Sequence, residues 1–123
     1  MILIDTSIWI DSFRIADPDL ALLLAEGEVI QHPFVTGELA MGNLRGWRRT
    51  VDLLSVLPAA PQVDNAQLLD FVESHGLAGT GIGFVDAHIL ASAQAAQSPV
   101  WTRDQRLRTH ATRLGLMWEP RQT

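Results

Sequence analysis

The run Ile2-Leu3-Ile4, closed at once by Asp5, constrains this chain more than any other feature. Aliphatic residues without alternation mark a strand buried on both faces, which belongs inside a parallel sheet covered by helices. An acid directly after such a strand stands at its carboxyl end, the edge where open α/β sheets place their ligands.

The rest of the sequence continues the alternation. Ser7 is positioned to cap a helix running to about residue 15. Asp17-Pro18-Asp19 starts a second helix to about 26, with Pro18 tolerated in the first turn. Residues 28–31 read as a short strand, and Pro33 opens a helix that Gly42 ends. Residues 44–54 are predicted helical and 55–57 a brief strand, followed by a loop bracketed by Pro58 and Pro61. Helix returns over 64–75, then a loop with four glycines at 76–83 and a helix over 84–97. Residues 100–102 form a strand, 105–114 a helix and 116–118 a last strand. No repeat or linker interrupts the pattern. It predicts one α/β domain spanning 1–123, with a parallel sheet and right-handed crossovers.

Composition narrows the chemistry. The chain has no cysteine, which excludes disulfides, thiolate zinc sites and cysteine nucleophiles. Any metal must be held by oxygen or imidazole, and oxygen suits hard ions such as Mg²⁺ or Mn²⁺. All nine basic residues are arginine. The absence of lysine removes response-regulator receivers and dehalogenase-type phosphatases, which also have a second Asp where this chain has Ser7. The start of the chain lacks a basic segment before its short apolar run, and no stretch suits a membrane span, so a cytoplasmic location is expected. A net charge of −5 argues against a broadly basic nucleic-acid surface.

Four acids stand out: Asp5, Glu38, Asp86 and Asp104. Each also has a plain structural explanation. Asp5 and Asp104 follow strands and could cap the next helix. Asp86 lies in the first turn of an apolar helix, where the helix dipole favours acids. Glu38 could be a solvated surface residue, but its neighbours at helical spacing, Phe34, Val35 and Met41, are apolar, and an unpaired acid among them is costly. Thr6 and Ser7 put hydroxyls beside Asp5, able to cap the helix or bond a metal-bound water. Taken together the four acids are placed to meet at one sheet edge. Clustered carboxylates cannot all stay ionised without cations, and phosphodiester hydrolysis uses the same cations to offset charge on the phosphoryl oxygens.

Four segments, Ile2 to Ile10, His32 to Ala40, Gly81 to Ala93 and Trp101 to Asp104, occur in an order that resembles PIN-domain ribonucleases, specifically VapC-type toxins of type II toxin–antitoxin systems. The resemblance covers nearly the whole chain. It implies a three-layer α/β/α sandwich with a parallel sheet of four or five strands. It implies an Mg²⁺- or Mn²⁺-dependent endoribonuclease in which Asp5 and Asp86 bind metal directly, while Glu38 and Asp104 complete the acidic pocket directly or through water. Thr102 matches the hydroxyl residue that precedes the family's last acid. A homodimer and a cognate VapB-type antitoxin are implied partners. The competing expectation is a catalytically silent PIN-like module that only binds RNA or protein.

Arg45, Arg48 and Arg49 are spaced to share a helix face and grip RNA phosphates, or to contact an antitoxin. Arg103 flanks the acids and is a further RNA-binding candidate. The four histidines show no metal-ligand spacing and are read as structural or surface residues. Among the tryptophans only Trp47, beside the arginines, is placed to stack on a base.

Overall fold

The computed structural model describes residues 1–121. Three parallel strands, β1 (Ile2–Ile4), β2 (Val29–Ile30) and β3 (Val100–Trp101), form a sheet of order β2-β1-β3. Ile2 pairs with Val29 and Leu3 with Ile30 on one side, and Leu3 with Val100 and Ile4 with Trp101 on the other. All seven of these strand residues are buried, which is why no polar alternation appears in them. Helices α1 (Thr6–Arg14), α2 (Pro18–Ala25), α3 (Pro33–Met41), α4 (Trp47–Leu54), α5 (Asn65–Ser74), α6 (Phe84–Ala96) and α7 (Gln105–Arg113) complete the three-layer α/β/α arrangement.

The expected four or five strands are three. The predicted strand at 55–57 does not form: Ser55 terminates α4, and Val56 is exposed. Pairing comes slightly later, as an isolated parallel bridge between Gln31 and Ala59, and Pro58 and Pro61 on either side supply no N–H to extend it. The predicted strand at 116–118 is likewise a single bridge, Val100 to Met117, with Pro120 close behind. Helix α4 begins at Trp47 rather than 44, because Gly46 occupies its N-cap in a left-handed conformation, φ +69°.

Side-chain caps start several of the helices. Asp17 accepts the N–H groups of Asp19 and Leu20. Asp64 and Gln67 form a reciprocal capping box at 2.8 Å in each direction. Removing that box by Asp64→Ala is expected to cost about 1 kcal/mol, measured from the urea midpoint with unchanged slope. Helix α6 is the central one, with Ala87 through Ala93 buried in unbroken succession. Asp86 stands in its first turn, directly before this buried stretch.

No helix among the described residues is long and apolar enough to cross a membrane.

Candidate active site

Asp5 occupies the N-cap position of α1, yet its carboxylate makes no capping bond to that helix. It is buried, 5% exposed. Both hydroxyl donors reach one oxygen: Thr102 Oγ1 donates to Asp5 Oδ2 at 2.7 Å, and Ser7 Oγ donates to the same atom at 3.0 Å. These hydroxyls are themselves fixed by the turn after β3, since Ser7 Oγ accepts from the Arg103 N–H and Thr102 Oγ1 from the Asp104 N–H, each at 3.0 Å. Two relays of backbone N–H to hydroxyl to carboxylate therefore aim Asp5. Its Oδ1 has no protein donor among the described residues.

Ser7, expected as a helix cap, is thus part of the network around Asp5. The Asp-Thr-Ser sequence was the signal, but only the fold shows which hydroxyl goes where. Thr6, expected beside Asp5, turns instead to Glu38 and donates to its Oε1 at 3.1 Å.

Glu38 is more exposed than its apolar helix neighbours suggested. Helix α3 buries Val35, Thr36 and Leu39 and leaves Glu38 on the face toward Thr6. Its pKa is nevertheless raised, chiefly by partial desolvation and then by the charges of Asp5 and Asp104, against the Thr6 hydrogen bond. Asp86 is half-buried and pushed up to about 6, first by burial and then by Asp5, Asp104 and Glu38 in turn. Asp104 does cap its helix, accepting the Leu107 N–H on Oδ1 at 3.0 Å. Capping and membership of the acidic group are therefore compatible.

The four acids arrive from four different places: the end of β1, α3, α6 and the turn before α7. Their charges act on one another. Among the described residues, no three His, Asp or Glu side chains converge tightly enough to hold a metal ion as they stand.

The sequence profile of the PIN domain matches residues 2–112. The chain belongs to the PIN domain family. It is 40% identical to the protein named Ribonuclease VapC32 of Mycobacterium tuberculosis, in strains H37Rv and CDC 1551 / Oshkosh, over 117 residues and 94% of each chain. The fold is similar to VapBC-1 from nontypeable Haemophilus influenzae (TM-score 0.70, 18% identity, 97% of each chain). It is also similar to FitAcB from Neisseria gonorrhoeae (TM-score 0.59, 19% identity, 91% of this chain and 94% of that one).

Two grooves flank Glu38 in this PIN domain. One, of about 390 Å³, lies between α1 and α3 and is lined by Ile10, Phe13, Arg14 and Leu44. The other, of about 580 Å³, is shallower and lies between α3 and the start of α6, against Phe34, Met41 and Phe84.

The arginines divide differently from expectation. Arg103 does not offer its guanidinium to the acidic centre. It is bound by Asp11 at 2.8 Å and Asp17 at 3.0 Å, and lies over the Trp101 ring. Arg106 donates to the Gly81 carbonyl, Arg108 pairs with Glu119, and Arg113 donates to the His75 carbonyl. The expected single face of Arg45, Arg48 and Arg49 is also broken, because Arg45 precedes α4 altogether. All three are exposed, without an ion pair among the described residues, and Arg48 lies over Trp47 at 5.1 Å.

Proposed function

We propose that this PIN domain is a Mg²⁺- or Mn²⁺-dependent endoribonuclease toxin, held inactive by a cognate VapB-type antitoxin and working as a homodimer. The observation that carries the reading is the gathering of Asp5, Glu38 and Asp104 around half-buried Asp86, whose pKa is pushed up to about 6 by burial first and then by those three charges. Such a group is destabilised by its own charge and is relieved by a cation. The donor set is all oxygen, which fits Mg²⁺ or Mn²⁺. Mg²⁺ keeps several waters and takes few protein ligands, so it does not need all four acids as direct ligands. The relationship to a protein named Ribonuclease VapC32 and the likeness to VapBC-1 support the ribonuclease and antitoxin parts of the proposal.

When bound, such an ion would supply charge for the phosphoryl oxygens and make a water more acidic. In this reading Asp5 and Asp86 hold it directly. The hydroxyls of Ser7 and Thr102 both donate to Asp5 Oδ2 and would hold the carboxylate in place for a cation. Glu38, steadied by Thr6, orients water and accepts its proton, a task suited to a carboxyl with a raised pKa. Asp104 keeps one oxygen on its helix cap and turns its charge to the pocket through the other or through water. Arg45, Arg48 and Arg49 bind RNA phosphates at the periphery; Arg103 instead braces the β3–α7 turn.

Purified protein is expected to cut RNA with Mg²⁺ or Mn²⁺, to stop in EDTA, and to resume when excess metal is returned. A folded protein that binds RNA but cuts none with either ion would replace this reading with the silent binding module.

A further inference from the structure

His32 follows β2 and is fully buried, 0% exposed, with no acidic partner. Its Nδ1 accepts the Phe34 N–H at 3.0 Å, so an imidazole serves as the N-cap of α3. A ring nitrogen that accepts an N–H carries no proton, which leaves the proton of the neutral ring on Nε2. Nε2 therefore donates to Ser92 Oγ, 3.0 Å away. Ser92 is itself 0% exposed, in the middle of α6. One side chain thus bonds the first turn of α3 with one nitrogen and the centre of α6 with the other.

The seam around this link is filled by rings. Phe34 packs against His32 and against His88, with centroids 5.0 Å apart in each case, and His88 meets Phe84 at 4.7 Å. Burial, and secondarily the nearby His88, lowers the His32 pKa to about 4, so the ring stays neutral and the bonding pattern holds at physiological pH. The two helices joined here are those that carry Glu38 and Asp86. Glu38 lies about one turn beyond Phe34, and Asp86 lies on the same rigid α6 as Ser92.

We propose that His32, acting through Ser92, sets the separation of α3 and α6 and thereby of Glu38 and Asp86. It is a positioning residue, and its consequence for metal binding rests on the ribonuclease reading above. The two bonds can be separated by substitution. His32→Asn retains a good N-cap for α3, because a short amide oxygen accepts the same N–H, but it cannot reach Ser92. Ser92→Ala leaves the cap untouched and removes only the other partner.

The chain has no cysteine, so spin labels can be attached at Met41→Cys on α3 and Ala95→Cys on α6, both exposed and outside the acidic centre. Distances measured by electron double resonance on the metal-free protein should form one narrow distribution. His32→Asn and Ser92→Ala should each broaden or shift it, and calorimetry should show Mn²⁺ affinity falling roughly tenfold while cooperative unfolding persists. Wild-type distances and affinity in either variant overturn the proposal and leave His32 as a cap alone. Broadened distances with unchanged Mn²⁺ affinity also overturn its positioning role. If the unsubstituted protein neither binds Mn²⁺ nor cuts RNA, the ribonuclease reading fails. The distances then still decide whether the link sets the helix separation.

Discussion

Asp86→Asn is expected to remove RNA cleavage, by at least about 100-fold, while making the metal-free protein more stable at pH 7.5. The two effects share one cause. Asp86 titrates near 6 in the folded protein against an ordinary value of 3.8, because burial and three neighbouring acids oppose its charge. The folded state therefore holds the proton more tightly than the unfolded chain. Its contribution to stability is fully present below pH 3.8 and is lost as pH rises through about 6. Glu38, also raised, adds to the loss in the same direction. Asparagine has no charge to repel. After discounting for the solvent that reaches this half-buried group, the gain at pH 7.5 is about 1–2 kcal/mol. Urea unfolding at pH 4, 5, 6 and 7.5 without metal is the measurement: the native protein should weaken across the series and the variant much less. Equal pH profiles for the two would remove Asp86 from the coupled group, and retained cleavage would remove it from the chemistry.

Thr102→Val should cost about 2 kcal/mol of stability and lower cleavage by about 10- to 100-fold. The swap conserves shape at a position only 1% exposed, so packing is little changed. What goes is a hydroxyl that donates to Asp5 and accepts from the Asp104 N–H. Asp5 would keep only the Ser7 donor, and a backbone N–H would lose its partner. Thr102→Ser, which keeps the hydroxyl, should recover most of both losses. Denaturant midpoints and single-turnover cleavage read the two effects separately. A valine variant that unfolds early yet cuts RNA at the native rate would mean that the relay holds the fold together but does not aim Asp5.

Three of the four acids sit beside a strong local signal: an apolar strand before Asp5, another before Arg103 and Asp104, and an apolar helix around Asp86. Helix α6 is legible almost to the residue because small and apolar residues dominate it. The sheet edges were not legible. A residue pair such as Gln31 with Ala59 depends on how two prolines truncate a strand, which periodicity does not register. The ion pairs of Arg103 are hidden for a different reason. Its partners Asp11 and Asp17 are 92 and 86 residues away in sequence, and nothing near Arg103 announces them. His32 reads in sequence as structural or surface, but its cap follows no spacing rule and its second partner lies 60 residues away. Ser7 reads in sequence as a helix cap or as a hydroxyl beside Asp5, and the donor that fixes it comes from the far side of the chain.

The bond from Thr102 to Asp5 spans 97 positions of sequence, and β1 gains its second neighbour only when residues 100–101 are present. A nascent chain that has reached residue 98 already contains Asp5, Glu38 and Asp86, yet its central strand is open along one side and Asp5 lacks the hydroxyl relay of the β3 turn. For a protein proposed to attack RNA, this order of assembly matters on the ribosome. About four-fifths of the 123 residues are therefore made before β3 can pair with β1 and Thr102, just after it, can reach Asp5.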